Sequence, residues 1–424
     1  MRIRPLFFVL SLLLVAQVQA QDPAGNTITL GQALQAARSN LDVLLARHSL
    51  SAARADVVSA DRAPFPALTA KLSSIDLQNG IGGGNLIADK RIDKSIGVDW
   101  TWERGNKREL RTLAAQRAVT AAQADVEDTQ TQQLLAVHTA FFDLLAAQER
   151  QEQTSAIERS AAQLASTAAR RVRAGDLAAQ DAARTEIEAE RAQIDVQAVQ
   201  LDRQRAALTL LQLTGLNTDA GSLTARTDWP PMDPAMSDAT NIAALVESRP
   251  EIRAAQARVQ VAQAARDGAA AQQRADVTWG ASLDHYPGTS TRLLELRMQV
   301  PLQWGYHYQG EIARAEAQLS QAQDALEKAR RVATSEMQRL QREAQSTAQR
   351  TSRYETDILP RARKVAESAE LAYNKGAMSL TDLLDTRRTL RATQLDALSA
   401  RTDYAKAAGA WQLRTRPDAL APNN

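Results

Sequence analysis

Asp382 and Asp385 are the pair of side chains best spaced for chemistry. Three residues apart, they share one face of a helix, one turn past Gly376. If that face turned inward in a three-fold assembly, six carboxylates would ring the axis. They would repel one another when the passage narrows and would favour cations over anions. A solvated helix face is the plainer reading. Other chemistry finds little footing. The chain has no Cys, which removes disulfides, thiolate metal sites and Cys nucleophiles. His48 and His138 stand alone on expected helices, His285 and His307 are isolated, and none has the spacing of metal ligands, so helix-face or lumen positions are expected. Gly80-Ile81-Gly82-Gly83-Gly84-Asn85 lacks the last Gly of a dinucleotide loop and leads toward a strand, so it reads as a hairpin tip. No phosphate-loop Lys or nucleophile elbow is present. No catalytic residue, bound metal or cofactor is expected.

Long helices must position these residues. Of 424 residues, 44% are hydrophobic but only 4% aromatic, and Ala is abundant, the profile of long helices with a thin apolar seam. Between Gly105 and Gly175 lie 69 residues without Gly or Pro, and between Gly175 and Gly215 another 39. As a helix the first stretch would be on the order of 100 Å long. Leu134, Leu135, Val137, His138, Phe141, Phe142, Leu144 and Leu145 form one stripe at helical spacing. Two helices reversing at Gly175 make an antiparallel hairpin. Gly175 and Gly376 suit such a reversal because Gly accepts the positive φ of a helix C-terminus.

The plan occurs twice. Val172-Arg173-Ala174-Gly175-Asp176-Leu177, with the helix through Asp181, reappears as Tyr373-Asn374-Lys375-Gly376-Ala377-Met378 through Asp382, shifted by 201. Trp100 to Gly105 matches Val300 to Gly305 at a shift of 200. In each copy one region alternates with period two: Ile96, Val98, Trp100 and Trp102, then Leu294, Leu296, Met298, Val300 and Leu302. Upstream partners are Leu68 to Ile75 and Val277 to Tyr286, across loops at Asn79 to Asn85 and Pro287 to Thr291. That gives one hairpin per copy and four strands per chain. The expected boundaries are 1–20, 21–228 for the first copy, 229–238 for a Pro-rich linker, 239–415 for the second copy and 416–424 for a tail.

Residues 1–20 carry Arg2 and Arg4, an apolar run from Leu6 to Val15 and a small-residue end at Ala20, the pattern of a secretory signal peptide. The formal charge of +2 comes from 51 basic and 49 acidic residues, and removal of this leader leaves 49 of each. Nucleic acid is therefore not an expected partner.

Four strands with one apolar face cannot close a membrane barrel, and an open edge is not tolerated in hydrocarbon, so several chains would have to pool strands. Trp100, Trp102 and Trp279 would then face lipid or form an interfacial belt, with Asp99, Glu103, Glu295 and Arg297 lining a wet lumen. Two soluble hairpins packed on helices are the alternative.

The order of elements resembles the TolC-like outer-membrane efflux channels over essentially the whole mature chain. The resemblance rests on Ser248-Arg249-Pro250-Glu251-Ile252-Arg253-Ala254-Ala255 at the start of the second copy. It rests equally on Tyr373-Asn374-Lys375-Gly376-Ala377-Met378-Ser379-Leu380-Thr381-Asp382-Leu383-Leu384-Asp385 at the second tip. Asn40-Leu41-Asp42 lacks the Pro found at the matching place in many of these channels. The resemblance implies a mainly α fold with a membrane β-barrel portion: a homotrimer with a 12-stranded barrel in the outer membrane and an α-helical tunnel into the periplasm. It implies a passive, non-enzymatic exit duct working with a periplasmic adaptor and an inner-membrane transporter. It also implies an acidic gate at Asp382 and Asp385. Adaptor docking would fall at the tips: Gly175, Asp176, Leu177 and Ala178, with Gly376, Ala377, Met378 and Ser379. Val300-Pro301-Leu302 followed by Gln309-Gly310-Glu311-Ile312-Ala313-Arg314-Ala315 is similar to the branch serving cobalt, zinc and cadmium efflux. A drug efflux channel of the same family and a periplasmic coiled-coil scaffold or adaptor are the competing functions.

Overall fold

A computed structural model describes residues 26–85, 91–232, 241–287 and 289–415. The expected leader and C-terminal tail lie outside the described residues, as does the linker from position 233 onward.

Strand β1 (Thr27–Thr29) leads into α1 (Leu30–Ala37) and α2 (Leu41–Ala60), followed by the hairpin strands β2 (Ala67–Ser73) and β3 (Asp93–Trp102). Helix α3 (Lys107–Arg173) is a single helix of 67 residues, about 100 Å long. It packs along α4 (Ala179–Thr214), which is followed by β4 (Thr224–Arg226). The second half places α5 (Ile242–Ser248) and α6 (Pro250–Ala271) before β5 (Val277–Tyr286) and β6 (Ser290–Gln299). Then come α7 (Gln309–Arg353), α8 (Leu359–Asn374) and α9 (Leu380–Thr415). Local sequence explains the starts. Asn40 caps α2 by accepting the amide of Asp42 at 2.9 Å, while α6 opens on Pro250 in the first turn, where no intrahelical amide is missed.

The counterpart of α3 is not continuous. A π-helical turn at Tyr354–Ile358 separates α7 from α8. Pro360 follows at once; it donates no amide and its ring crowds the carbonyl four residues back, and the wider turn absorbs both effects. The corresponding stretch of α3 has no Pro and stays unbroken.

Ile28, Leu34, Val137, Phe141, Phe142, Leu144, Leu210 and Leu223 form one core joining α1, α3, α4, β1 and β4. A second core joins Val246, Ile252, Met337, Leu340 and Trp411 from α5, α6, α7 and α9. Each buried large side chain contributes about 1.5–3 kcal/mol. Away from these cores the helical seams are mostly Ala, as at Ala168, Ala192, Ala366 and Ala369.

The four expected strands form one antiparallel sheet in the order β2-β3-β5-β6, so the two hairpins join through β3 and β5. The count of four needs correction. Among the described residues β1 and β4 make a second, two-stranded parallel sheet. Strands of three residues are too short for a period-two pattern. The Gln148 side chain on α3 anchors this sheet, accepting from the Ala225 amide at 2.8 Å and donating to its carbonyl at 3.0 Å. The expected linker also begins pinned: Trp229 stacks against Phe142 and donates its indole N–H to Glu149 at 2.5 Å.

Among the described residues no helix is long and apolar enough to cross a membrane.

Candidate functional site: a two-faced sheet and two helical tips

Strand alternation divides the sheet into two faces. Leu68, Leu72, Ile96, Val98, Trp100, Trp279, Leu283, Leu294, Leu296 and Met298 all project to one side and are exposed. The register makes this face continuous: Leu68 stands opposite Val98, Ile96 opposite Leu283, Trp100 opposite Trp279, and Trp279 opposite Met298. An exposed apolar face of this extent marks a surface meant for lipid or a partner.

The other face is polar. Asp99, Gly280 and Arg297 lie side by side on three strands, and Arg297 reaches over the glycine to the Asp99 carboxylate at 2.6 Å. A Cβ at Gly280 would stand 2.3 Å from that carboxylate. Gly97 is constrained by less yielding atoms, since its Cβ would fall 2.7 Å from the Ser282 Cβ and 2.8 Å from the Ala281 carbonyl oxygen. Thr101 and Thr278 hydroxyls meet at 2.9 Å. Asp99, Glu295 and Arg297 therefore share the polar face, as their alternation predicts. Glu103 does not belong with them: β3 ends at Trp102, and the Glu103 carboxylate binds Arg111 of α3 at 2.9 Å. A helix residue eight positions downstream claims it, which strand periodicity cannot reveal.

Phe65, Trp102, Leu302, Trp304 and Tyr306 are also exposed, all where strands give way to helices. Trp102 and Leu302 both stood out in sequence as strand positions, but β6 ends at Gln299, so Val300 and Leu302 lie beyond it. Phe65, Trp304 and Tyr306 fall outside any alternating run.

The opposite ends of the helices carry the tips. At the first, the amide of Asp176 bonds the Arg171 carbonyl at 2.9 Å and that of Gly175 bonds the Val172 carbonyl at 3.0 Å. At the second, Ala377 bonds Ala372 at 2.9 Å and Gly376 bonds Tyr373 at 3.0 Å. These are two copies of the glycine-closed helix end, with φ of +83° at Gly175 and +74° at Gly376. Asp176, Ala178, Ala377 and Ser379 are exposed, while Leu177 and Met378 are half-buried.

The restarts differ. Ser379 caps α9, accepting the Asp382 amide at 3.2 Å and donating its hydroxyl to the Asp382 carboxylate at 2.7 Å. At the first tip Ala178 offers no such cap. Asp382 and Asp385 are both exposed on the first turns of α9. Below them lies a basic stretch already engaged: Arg387 binds Glu370 at 2.8 Å, Arg388 binds Glu188, and Arg391 binds Asp195. The Glu188 carboxylate holds Arg388 more firmly protonated than usual. Arg388 approaches Asp385 only at 3.4 Å. Asp385 thus carries one long ion pair and Asp382 one hydrogen bond from Ser379, and both carboxylates remain exposed.

The sequence profile described as outer membrane efflux protein matches residues 33–216 and 241–411. The chain belongs to the outer membrane efflux protein family. A relative in Cupriavidus metallidurans, the cobalt-zinc-cadmium resistance protein CzcC, is 24% identical over 376 residues, covering 87% of this chain and 85% of its own. The Campylobacter jejuni CmeC outer membrane channel has the same fold, with a TM-score of 0.78, 14% identity and coverage of 93% of this chain and 87% of that one. The outer membrane protein VceC of Vibrio cholerae matches with a TM-score of 0.75 and 17% identity over 92% of this chain and 96% of its own.

In this outer membrane efflux protein His138 departs from expectation. It is buried in α3 rather than on an open helix face or in a lumen, packed against Phe142 with the rings tilted and their centroids 4.9 Å apart. A Cβ on Gly409 would overlap its ring at 2.0 Å, so only glycine there leaves the imidazole room. Burial, with Lys406 nearby, lowers its pKa to about 4. Among the described residues no cluster of three or more His, Asp or Glu is placed to hold a metal ion.

Proposed function

We propose that this chain is the outer-membrane exit duct of a three-part export pump, with heavy-metal cations of the cobalt, zinc and cadmium kind as its cargo. The observation that carries the reading is the four-stranded sheet. One face is continuously apolar and exposed, the other is polar, and its edge strands β2 and β6 run antiparallel to each other. An even-stranded antiparallel sheet pairs edge to edge with copies of itself without breaking alternation. Three copies give 12 strands, a closed barrel with no edge left in hydrocarbon. Trp100, Trp102 and Trp279 then belong to the lipid side and its aromatic belt, and the Asp99–Arg297 side to the lumen.

Two copies of one structural plan, 21–228 and 239–415, supply the barrel with one hairpin each and the periplasmic tunnel with one long helical pair each. The twin helix ends at Gly175 and Gly376 support this. At the tunnel mouth, Asp382 and Asp385 from three chains form a cation-favouring ring, and residues 175–178 and 376–379 receive a periplasmic adaptor. No chemistry is asked of the duct; the energy comes from the inner-membrane transporter. The metal cargo draws support from the likeness to CzcC. Sensitivity of a deletion strain tests it: zinc, cobalt or cadmium sensitivity supports the cargo, and dye sensitivity with normal metal resistance refutes it.

A further inference from the structure

Helix α4 carries two apolar seams. One, through Thr185, Ala192, Ala207 and Leu210, is buried. The other, Ile187, Ile194, Leu201 and Leu208, repeats every seven residues on the opposite face and stays exposed, with Ile194 at 64%. Seven-residue spacing is the period of a helix expecting a second helix. A shorter exposed pair, Ile358 and Val365, has the same spacing on the π-turn and α8.

The two stripes match in level. The twin tips give a common zero: Arg171 and Tyr373, on the last turns before each, lie together. Ile187 is 12 residues from Gly175 and Val365 is 11 from Gly376; Ile194 is 19 and Ile358 is 18. At 1.5 Å per residue these pairs stand at about 17 and about 28 Å. Charge matches as well. Beside the α4 stripe lie Glu186 and Glu190, exposed and in no ion pair among the described residues. Beside the α8 stripe lie Lys364, also exposed, and Arg361, which holds only a 3.9 Å contact with Asp357. Glu186 and Lys364 sit 11 and 12 residues from their tips, and Glu190 and Arg361 both sit 15. Helix α4 runs away from the tips and α8 toward them. In such an antiparallel pair the flanks preceding each apolar position fall on the same side of the seam, so the carboxylates meet the cations.

We propose that the exposed α4 stripe of one chain packs on the Ile358–Val365 stripe of a second copy, with Glu186 against Lys364 and Glu190 against Arg361. The contact is head-to-tail, so three copies close a ring. The proposal rests on the trimeric reading above and adds the helical seam that seals the tunnel wall.

The absence of native Cys makes the test clean. The full chain carrying Ile194→Cys and Ile358→Cys is oxidised in outer membranes and run without reductant. A second variant, Ile194→Cys with Leu371→Cys, pairs mismatched levels. A third carries cysteines on edge strands β2 and β6. Covalent dimers and trimers from the first variant and not the second are expected. Cross-linking through the strands without linkage at 194–358, or equal linkage in the mismatched pair, overturns the seam alone. Failure of every pair overturns the trimer with it. Independently, Glu190→Arg should lower the heat resistance of the oligomer, and adding Arg361→Glu should restore it; a double variant no better than the single contradicts the seam.

Discussion

Arg297 and Asp99 form a 2.6 Å ion pair across a strand that separates them, and Gly280 is what lets them meet. The pair ties the second hairpin to the first on the polar face of the sheet, 198 residues apart in sequence. Its neighbour Gly97 meets harder obstacles, because an added Cβ would lie 2.8 Å from the backbone carbonyl of Ala281.

The two glycines should respond differently. Gly97→Ala forces the strands apart and should cost about 1–3 kcal/mol, as overpacking does. Gly280→Ala meets only the ends of two side chains, which can swing away. It should cost little beyond the half-exposed ion pair, about 0–1 kcal/mol. The melting temperature of the purified protein in detergent checks both. A larger loss for Gly280→Ala than for Gly97→Ala would contradict the sheet geometry.

His138 gives the protein an acid-sensitive core. Folded, it stays neutral down to about pH 4, whereas unfolded it takes up a proton near 6.5. The unfolded state therefore binds more protons over that window, and stability falls as pH drops through it, by roughly 3 kcal/mol in all. His138→Phe should flatten this part of the denaturation profile between pH 6.5 and 4. An unchanged slope would place the acid response elsewhere.

At the proposed gate, Asp382→Ala with Asp385→Ala should raise single-channel conductance and weaken block by divalent and trivalent cations. Asp382 also belongs to the helix cap with Ser379, so its loss carries a structural cost of about 1 kcal/mol. Asp385→Asn is the cleaner variant, changing charge alone. Conductance and block that stay the same in both variants would remove the gate assignment.

Docking at the tips predicts a separation of assembly from function. Leu177→Glu with Met378→Glu should abolish resistance to the exported compound while the oligomer still forms and reaches the outer membrane. Growth in the presence of the metal, beside a gel of the outer-membrane fraction, reads both. Full resistance in the double variant would count against the tips as the docking surface.

Much of this architecture was legible because its signals are periodic or punctuated. The alternation around Trp100 and Leu296 revealed strands, and glycines at 175 and 376 revealed where helices reverse. The order of elements was readable from landmarks recurring at a shift near 200. What escaped lacks a period. β1 and β4 are three residues each and exist through Gln148. Glu103 obeys the strand pattern yet serves Arg111. His138 sits in the apolar stripe of α3, but its burial depends on Gly409, 271 positions away. The π-turn before Pro360 reflects one residue acting on a long helix. Partners from other elements decide the first three, and a single local proline decides the last.

If three chains pool their two-faced sheets into one conducting barrel, two properties follow together: conductance of the purified protein in planar lipid bilayers, and a change in its gel migration on heating. A heat-dissociable trimer that inserts and opens cation-favouring channels, more weakly blocked when Asp382 and Asp385 are replaced, is expected. A protein that migrates as a monomer at every temperature and leaves the bilayer silent would contradict it.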